Sequence, residues 1–133
     1  MAATAIARYT GRMTHILLTG SSRGIGAATL TALQAAGATV IGQGTASGIP
    51  ADFADPAAPR ALWDAALAAH GGRIDVLINN AGVFEANPIA RDDAAWVAEW
   101  ERTMRINLTA AAELCRLAVL HWQDRGTGGR IVN

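Results

Sequence analysis

The sequence predicts an α/β chain, a parallel sheet wound with helices on both faces. Three observations predict it. Short apolar or β-branched runs at residues 16–18, 39–41 and 74–78 alternate with stretches of helical periodicity. The last of these runs is apolar except for Asp75 and shows no polar alternation, which suits a strand buried on both faces. Directly after the first run stands Thr19-Gly20-Ser21-Ser22-Arg23-Gly24-Ile25-Gly26, a strand-to-helix turn rich in glycine.

Taken in order, the first strand ends at Leu18 and a helix over residues 24–36 follows, its apolar stripe read as Ile25, Ala28, Ala32, Leu33 and Ala36. Gly37 closes it as a C-cap, and Thr39-Val40-Ile41 forms the second strand. Parallel strands joined through a helix cross over right-handed, so this first unit fixes much of the topology. A polar glycine-rich connection, residues 42–48, leads to a short third strand within residues 49–53. Asp55-Pro56 is a helix start signal, with Leu62, Ala65, Ala66 and Ala69 as the buried stripe and Gly71-Gly72 as the stop.

The fourth strand, residues 74–78, is followed by Asn79-Asn80-Ala81-Gly82 and a loop through Pro88. Asp92 or Asp93 caps the next helix, whose Val97, Trp100, Met104 and Asn107 share one face. A further helix over residues 109–123 carries Leu114, Leu117, Ala118 and His121, and a fifth strand opens at Arg130. The expected organisation is a loose, disordered extension over residues 1–12 and one domain over residues 13–133.

Composition narrows the classes. Lys plus Arg and Asp plus Glu number 11 each, so the formal charge is zero and nothing marks a nucleic-acid or anionic-membrane partner. No apolar run approaches the roughly 18 residues of a membrane helix. The single cysteine, Cys115, excludes an intramolecular disulfide and fits a reducing, cytoplasmic compartment. His15, His70 and His121 lack ligand spacing, so no metal site is expected.

The chemistry is concentrated in the glycine turn. Glycine tolerates positive φ and has no Cβ, so Gly20, Gly24 and Gly26 permit a tight turn and close helix-on-strand contact. A helix starting at Gly24 aims unpaired N–H groups and its positive dipole end at the turn, the requirements of a pyrophosphate site. The spacing is Gly-x-x-x-Gly-x-Gly, and no Gly-Lys-Ser/Thr ending makes it a P-loop.

With Thr19 in front, this octet resembles the cofactor loop of the short-chain dehydrogenase/reductase family. Asp52-Phe53 after the third strand, Asn79-Asn80-Ala81-Gly82 after the fourth, Asn107 between the two long helices and the closing Gly129-Arg130-Ile131-Val132-Asn133 stand in that family's order. The resemblance covers residues 13–133 and implies a Rossmann-like doubly wound parallel sheet, truncated within the fifth strand. It implies that Ser22, Arg23 and Ile25 meet the phosphate and adenosine side of a nicotinamide dinucleotide. It further implies that Asp52 binds the adenine amino group, that Phe53 flanks the ring, and that Asn80, Ala81 and Gly82 line the ribose and nicotinamide path.

An NAD-binding fold of this kind places an acid roughly 20 residues beyond the glycines. Here the stretch is Gln43-Gly44-Thr45, without an acid, and Arg23 supplies positive charge, so NADP is favoured over NAD. The arginine often found just after the second strand in NADP binders is also missing, which leaves Thr45 and Ser47 as neutral donors. The family's hydride transfer between nicotinamide and an alcohol or carbonyl carbon uses a serine and a Tyr-x-x-x-Lys unit. This chain has one tyrosine, Tyr9, ahead of the first strand, and no lysine. Asn107 is the one member of the implied catalytic set that remains, where it would help hold a proton-relay water.

The chain as given is therefore expected to be inactive and to be the N-terminal part of a longer oxidoreductase. The alternative is a non-catalytic protein that binds nucleotide or dimerises through the helices flanking Asn107, with Trp96, Trp100 and Trp122 extending the interface. Core packing is the competing reading of these tryptophans, Trp100 above all. A methyltransferase also uses a glycine turn after a first strand but has no use for Asn79-Asn80-Ala81-Gly82 or Asn107.

Overall fold

A computed structural model describes residues 13–133. The extension expected over residues 1–12, with Tyr9, lies outside the described residues. Five strands form one parallel sheet: β1 (His15–Leu18), β2 (Thr39–Gly44), β3 (Ile49–Pro50), β4 (Val76–Ile78) and β5 (Arg130–Val132). Their spatial order is β3-β2-β1-β4-β5, so β1 lies at the centre and the order reverses beside it. This is the Rossmann-like order, and ligands of such sheets bind beyond the carboxyl ends of the strands at that reversal.

Side chains on β1 and β4 alternate between the two faces, as the period of a strand requires. Leu17, Leu77 and Ile74 enter the larger core with Phe53, Leu62, Trp63, Ala66, Leu114, Ala118 and Trp122. Two helices cover that face, α2 (Ala58–Ala69) and α4 (Ala110–Asp124), with α3 (Asp93–Met104) preceding α4. Ile16, Val76 and Leu33 form the smaller core on the opposite face, under α1 (Gly24–Ala35). Trp122 belongs to the core, where its indole N–H donates to the Ile74 carbonyl at 2.8 Å. Gly129 passes against its ring so closely that a Cβ there would sit 1.9 Å from Cε2.

Helix ends follow the sequence signals in part. Gly37, at φ +86°, ends α1 with its N–H on Gln34 and the Ala38 N–H on Leu33, the two bonds of a Schellman motif. Gly71 and Gly72 end α2 in the same way, with N–H groups on Ala68 and Leu67. Asp92 caps α3, its side chain accepting from the Ala95 N–H at 3.0 Å.

Three expectations need correction. The α1 stripe is rotated: Ile25, Ala28 and Ala32 are exposed, and Gly26 and Leu33 are buried. The reason is the contact of Gly26 with the glycine turn, which sets the helix rotation more firmly than small alanines do. In α2, Trp63 is buried and Ala65 and Ala69 are exposed, and the helix begins at Ala58. Asp55-Pro56 forms the turn before it, with the Asp55 side chain accepting from Ala57 N–H at 2.9 Å. Pro59 supplies the proline of the first helical turn. Finally, Trp100 is exposed rather than core, stacked on Trp96 with ring centroids 5.6 Å apart.

Asp75, the one polar residue of its run, fastens the amino ends of three strands. Its side chain accepts from the His15 N–H at 2.9 Å and from Arg73 Nε at 2.7 Å, and its carbonyl accepts from the Arg130 N–H at 3.1 Å. Beside it His15 and His70 meet edge to face at 4.9 Å, and His70 Nε2 donates to the Ile16 carbonyl at 3.1 Å.

These groups give stability a pH dependence of definite sign. Burial is the largest cause holding the imidazoles of His15, His70 and His121 below their ordinary 6.5. The unfolded chain then takes up protons first, so this contribution is full above about pH 6.5 and declines on acidification. For Asp75, burial alone would raise the carboxyl, but hydrogen bonds from Arg73 and the His15 N–H, with the neighbouring positive charges, hold it below 3.8. Its contribution is present above 3.8 and lost as the pH falls through the folded value. Denaturant unfolding is expected to show stability falling between about pH 7 and 5 and again below about pH 4. Asp75→Asn should cost on the order of 1–2 kcal/mol at neutral pH and remove the second fall; an unchanged acid limb would contradict the assignment.

Candidate functional site

A cleft of about 700 Å³ opens at the carboxyl ends of the strands, where the sheet order reverses. That volume is of the size that holds a cofactor. Its floor is the glycine turn. Gly20 takes φ +67° and Gly24 φ +57°, backbone that an L side chain rarely adopts. Gly26 is constrained by space instead, since a Cβ would stand 1.9 Å from the Gly20 carbonyl oxygen. Gly20 is tight on its other side as well, with a Cβ there 2.7 Å from Ala81 Cα.

The turn is held from below by buried polar side chains. Thr19, 1 % exposed, accepts at Oγ1 from the N–H groups of Asn80 and Ala81, each at 3.0 Å. The Asn80 amide donates back to the carbonyls of Thr19 at 3.2 Å and Gly20 at 3.0 Å. The ends of β1 and β4 are thus clamped together, and the glycine turn lies against Ala81-Gly82. On the other flank the Gln43 side chain, 3 % exposed, accepts from the Gly20 N–H at 3.0 Å and donates to the Ala51 carbonyl at 2.7 Å.

Above the floor, α1 points its N-terminus into the cleft. Its N-cap residue, Arg23, is extended and provides no side-chain cap. The first-turn N–H groups are therefore left for another acceptor. The Arg23 side chain is exposed, lines the cleft and makes no ion pair among the described residues. Ser22 and Ile25 line it alongside, Ile25 with its side chain in solvent.

Every residue expected to hold the cofactor faces this one cleft. Gly20, Ser22, Arg23, Gly24, Ile25 and Gly26 form one side, Asp52 and Phe53 one end, and Asn80, Ala81 and Gly82 the other wall. Asp52 is exposed, with its Oδ1 on the Ala54 N–H at 3.0 Å. Phe53 lines that end while its side chain is buried in the main core. Asn107 does not line the cleft. It lies in a π-helical turn, Arg105–Thr109, between α3 and α4. Its amide is bonded in both directions to Val83, accepting from the N–H at 2.8 Å and donating to the carbonyl at 2.7 Å. Asn107 thereby holds the segment after Gly82 in place.

Other lining residues escaped the sequence reading: Val83, Arg102, Ile106 and Ala51. Arg102 reaches the cleft from α3, paired with Glu99 at 3.5 Å and Glu85 at 4.0 Å. Only the helical period linking Arg102 to Ile106 and Asn107 signals its position. Gln43 carried a better signal, a long polar side chain in a strand position that packing buries.

The residues fit a dinucleotide phosphate: the cradle is one that a Cβ would fill at Gly20 or Gly26, and it faces open N–H donors and an unpaired arginine. Comparison with known proteins agrees with this geometry. The family described as short chain dehydrogenase matches residues 41–133. The chain belongs to the short-chain dehydrogenase family. A 3beta-hydroxysteroid dehydrogenase 1 of Eggerthella lenta is 33% identical over 137 residues, covering 89% of this chain and 51% of the relative. A D-threitol dehydrogenase of Mycolicibacterium smegmatis is 33% identical over 135 residues, covering 88% of this chain and 50% of the relative.

Among solved structures, a short chain dehydrogenase from Mycobacterium smegmatis has a TM-score of 0.79 at 25% identity, covering 92% of this chain and 57% of that one. The NADH-dependent reductase A1-R′ responsible for alginate metabolism has a TM-score of 0.75 at 27% identity, covering 90% and 57%. This short-chain dehydrogenase chain spans about half the length of the curated relatives it matches.

The clamp at Thr19 gives a direct test. Thr19→Val keeps the shape but removes the acceptor shared by two buried N–H groups, and should cost about 2–3 kcal/mol in denaturant unfolding. A loss within experimental error of zero would mean that the clamp contributes little.

Proposed function

We propose that this chain is the cofactor-binding part of an NAD(P)-dependent oxidoreductase that moves hydride between a nicotinamide and an alcohol or carbonyl carbon. The observation that carries the reading is the convergence of the glycine turn, Asp52 and Asn80-Ala81-Gly82 on one cleft, although they come from separate parts of the sequence. The nicotinamide, when bound, supplies the hydride chemistry. The chain's own residues bind and orient: the α1 N-terminus and Arg23 take the phosphates, Asp52 accepts from the adenine amino group, and Ala81-Gly82 let the sugar approach the backbone.

NADP is the preferred cofactor in this reading. No carboxylate stands at the end of β2, and a Cβ at Gly44 would meet Ser47 Oγ at 2.9 Å and Ser22 Cβ at 3.2 Å, so a ribose-binding acid has little room there. Gln43 is committed to Gly20 and Ala51, which leaves Ser22, Thr45 and Arg23 as donors toward a 2′-phosphate. A solved structure of similar fold is described as an NADH-dependent reductase, the opposite preference.

With no lysine in the sequence, the chain has no Tyr-x-x-x-Lys unit of its own and on these residues alone binds nucleotide without turning over substrate. Asn107 acts through its hold on Val83 and, in the complete site, beside the proton-relay water. The exposed Val97, Trp100 and Leu108 on and after α3 support a second role for the helices flanking Asn107, association with another copy. No helix among the described residues is long and apolar enough to cross a membrane. The free Cys115 supports a cytoplasmic setting.

Fluorescence titration of the 133-residue chain is expected to show NADPH binding at least several-fold more tightly than NADH. Gly24→Asp, which puts a side chain at φ +57° and a negative charge at the phosphate site, should abolish binding of both. Equal affinities would remove the NADP assignment, and unimpaired binding by Gly24→Asp would remove the site.

A further inference from the structure

Gln43 stands out as a buried polar side chain that spans two separate parts of the cleft. Its Oε1 accepts from the N–H of Gly20 at 3.0 Å, at the start of the phosphate turn. Its Nε2 donates to the carbonyl of Ala51 at 2.7 Å, immediately before Asp52. The backbone of the same residue is engaged too, its carbonyl accepting from the Ser21 N–H at 2.9 Å and the Ser21 hydroxyl at 3.2 Å. At 3 % exposure the side chain exchanges little with water, so both bonds are made in a poorly solvated setting.

Among the described residues no other side chain joins those two loops by hydrogen bonds. β3 is only two residues long, and the segment bearing Asp52 and Phe53 leaves it at once. It pairs with β2 at two positions, Gln43 with Ile49 and Gly44 with Pro50, and the Ala51 N–H on the Gly44 carbonyl at 3.0 Å continues that pairing by one residue. Such a short edge strand does not by itself fix where Asp52 lies relative to the turn.

We infer that Gln43 is a positioning residue that couples the phosphate turn to the adenine end of the cleft, so that occupation of one orders the other. The inference rests on the dinucleotide reading of the cleft and adds to it a lining residue that acts through the backbone on either side of it. The mechanism is mechanical: a phosphate on the turn fixes Gly20, Gly20 fixes Oε1, and the rigid amide then fixes Ala51 and with it the backbone of Asp52. Binding of the two halves of a dinucleotide is thereby cooperative within one site, because the ordering cost is met once.

The experiment uses the 133-residue chain, labelled with ¹⁵N, and Gln43→Met, which keeps length and burial without either hydrogen bond. In the unmutated chain, inorganic pyrophosphate alone should shift the amide resonance of Asp52 as well as those of Gly20 and Gly24. In Gln43→Met the shifts at the turn should remain and the shift at Asp52 should vanish. NADPH affinity should fall roughly tenfold, while inorganic pyrophosphate affinity changes less than about twofold. A purely structural role would weaken both ligands alike, and that result overturns the inference, as does equal NADPH affinity in the two chains. Should Gln43→Met not fold, the unmutated chain still decides, since a silent Asp52 amide under saturating pyrophosphate excludes the coupling. Failure of the unmutated chain to bind NADPH at all would instead overturn the dinucleotide reading, and this inference with it.

Discussion

The contact on which the site depends is between backbones: Gly20 is held between Gly26 on α1 and Ala81 after β4, with no room for a Cβ at Gly20 or at Gly26. That closeness brings the helix N-terminus down onto the strand ends and sets its rotation. It also places the walls of the cleft, since Thr19 and Asn80 stitch the same backbone to β4. Side-chain packing in α1 is weak, with Leu33 its one buried large residue, so the glycine contact dominates where a larger apolar stripe would otherwise decide.

The two faces of the sheet contribute unequally. The face under α2 and α4 carries the main core, with Leu62, Trp63, Leu114 and Trp122, and supplies most of the hydrophobic stabilisation. The face under α1 carries little more than Ile16, Leu33 and Val76. A thinly packed face leaves the phosphate side of the cleft dependent on hydrogen bonds, which is where Thr19, Asn80 and Gln43 act. The opposite, amino end of the strands is fastened by Asp75, His15 and His70, far from the cleft in function and sensitive to pH in its own way.

Much of this was legible in the sequence because it depends on local signals. The fourth strand, observed at Val76–Ile78 within the expected 74–78, the glycine stops at Gly37 and Gly71-Gly72, the Asp92 cap and the α4 stripe of Leu114, Leu117 and Ala118 all follow from short-range patterning. The motifs point to residues far apart in the sequence, and the fold brings the set expected at the cofactor into one cleft. What was not legible depends on contacts between distant segments. The rotation of α1 depends on Gly26 meeting Gly20, and the start of α2 depends on how Asp55-Pro56 turns before it. Val83 is held at the cleft by Asn107 in its π-helical turn, Arg102 reaches it from α3, and alanine-rich segments give periodicity too little contrast to settle a phase.

The central claim is that one cleft, floored by the glycine turn, holds a nicotinamide dinucleotide. A crystal structure of the chain grown with NADPH tests it most directly. The account predicts the pyrophosphate against the N-terminus of α1 beside Arg23, with the adenine at Asp52 and Phe53. Nucleotide seated elsewhere, such as the shallow pocket lined by Ile89, Trp96 and Val97, or an adenine directed away from Asp52, would contradict it.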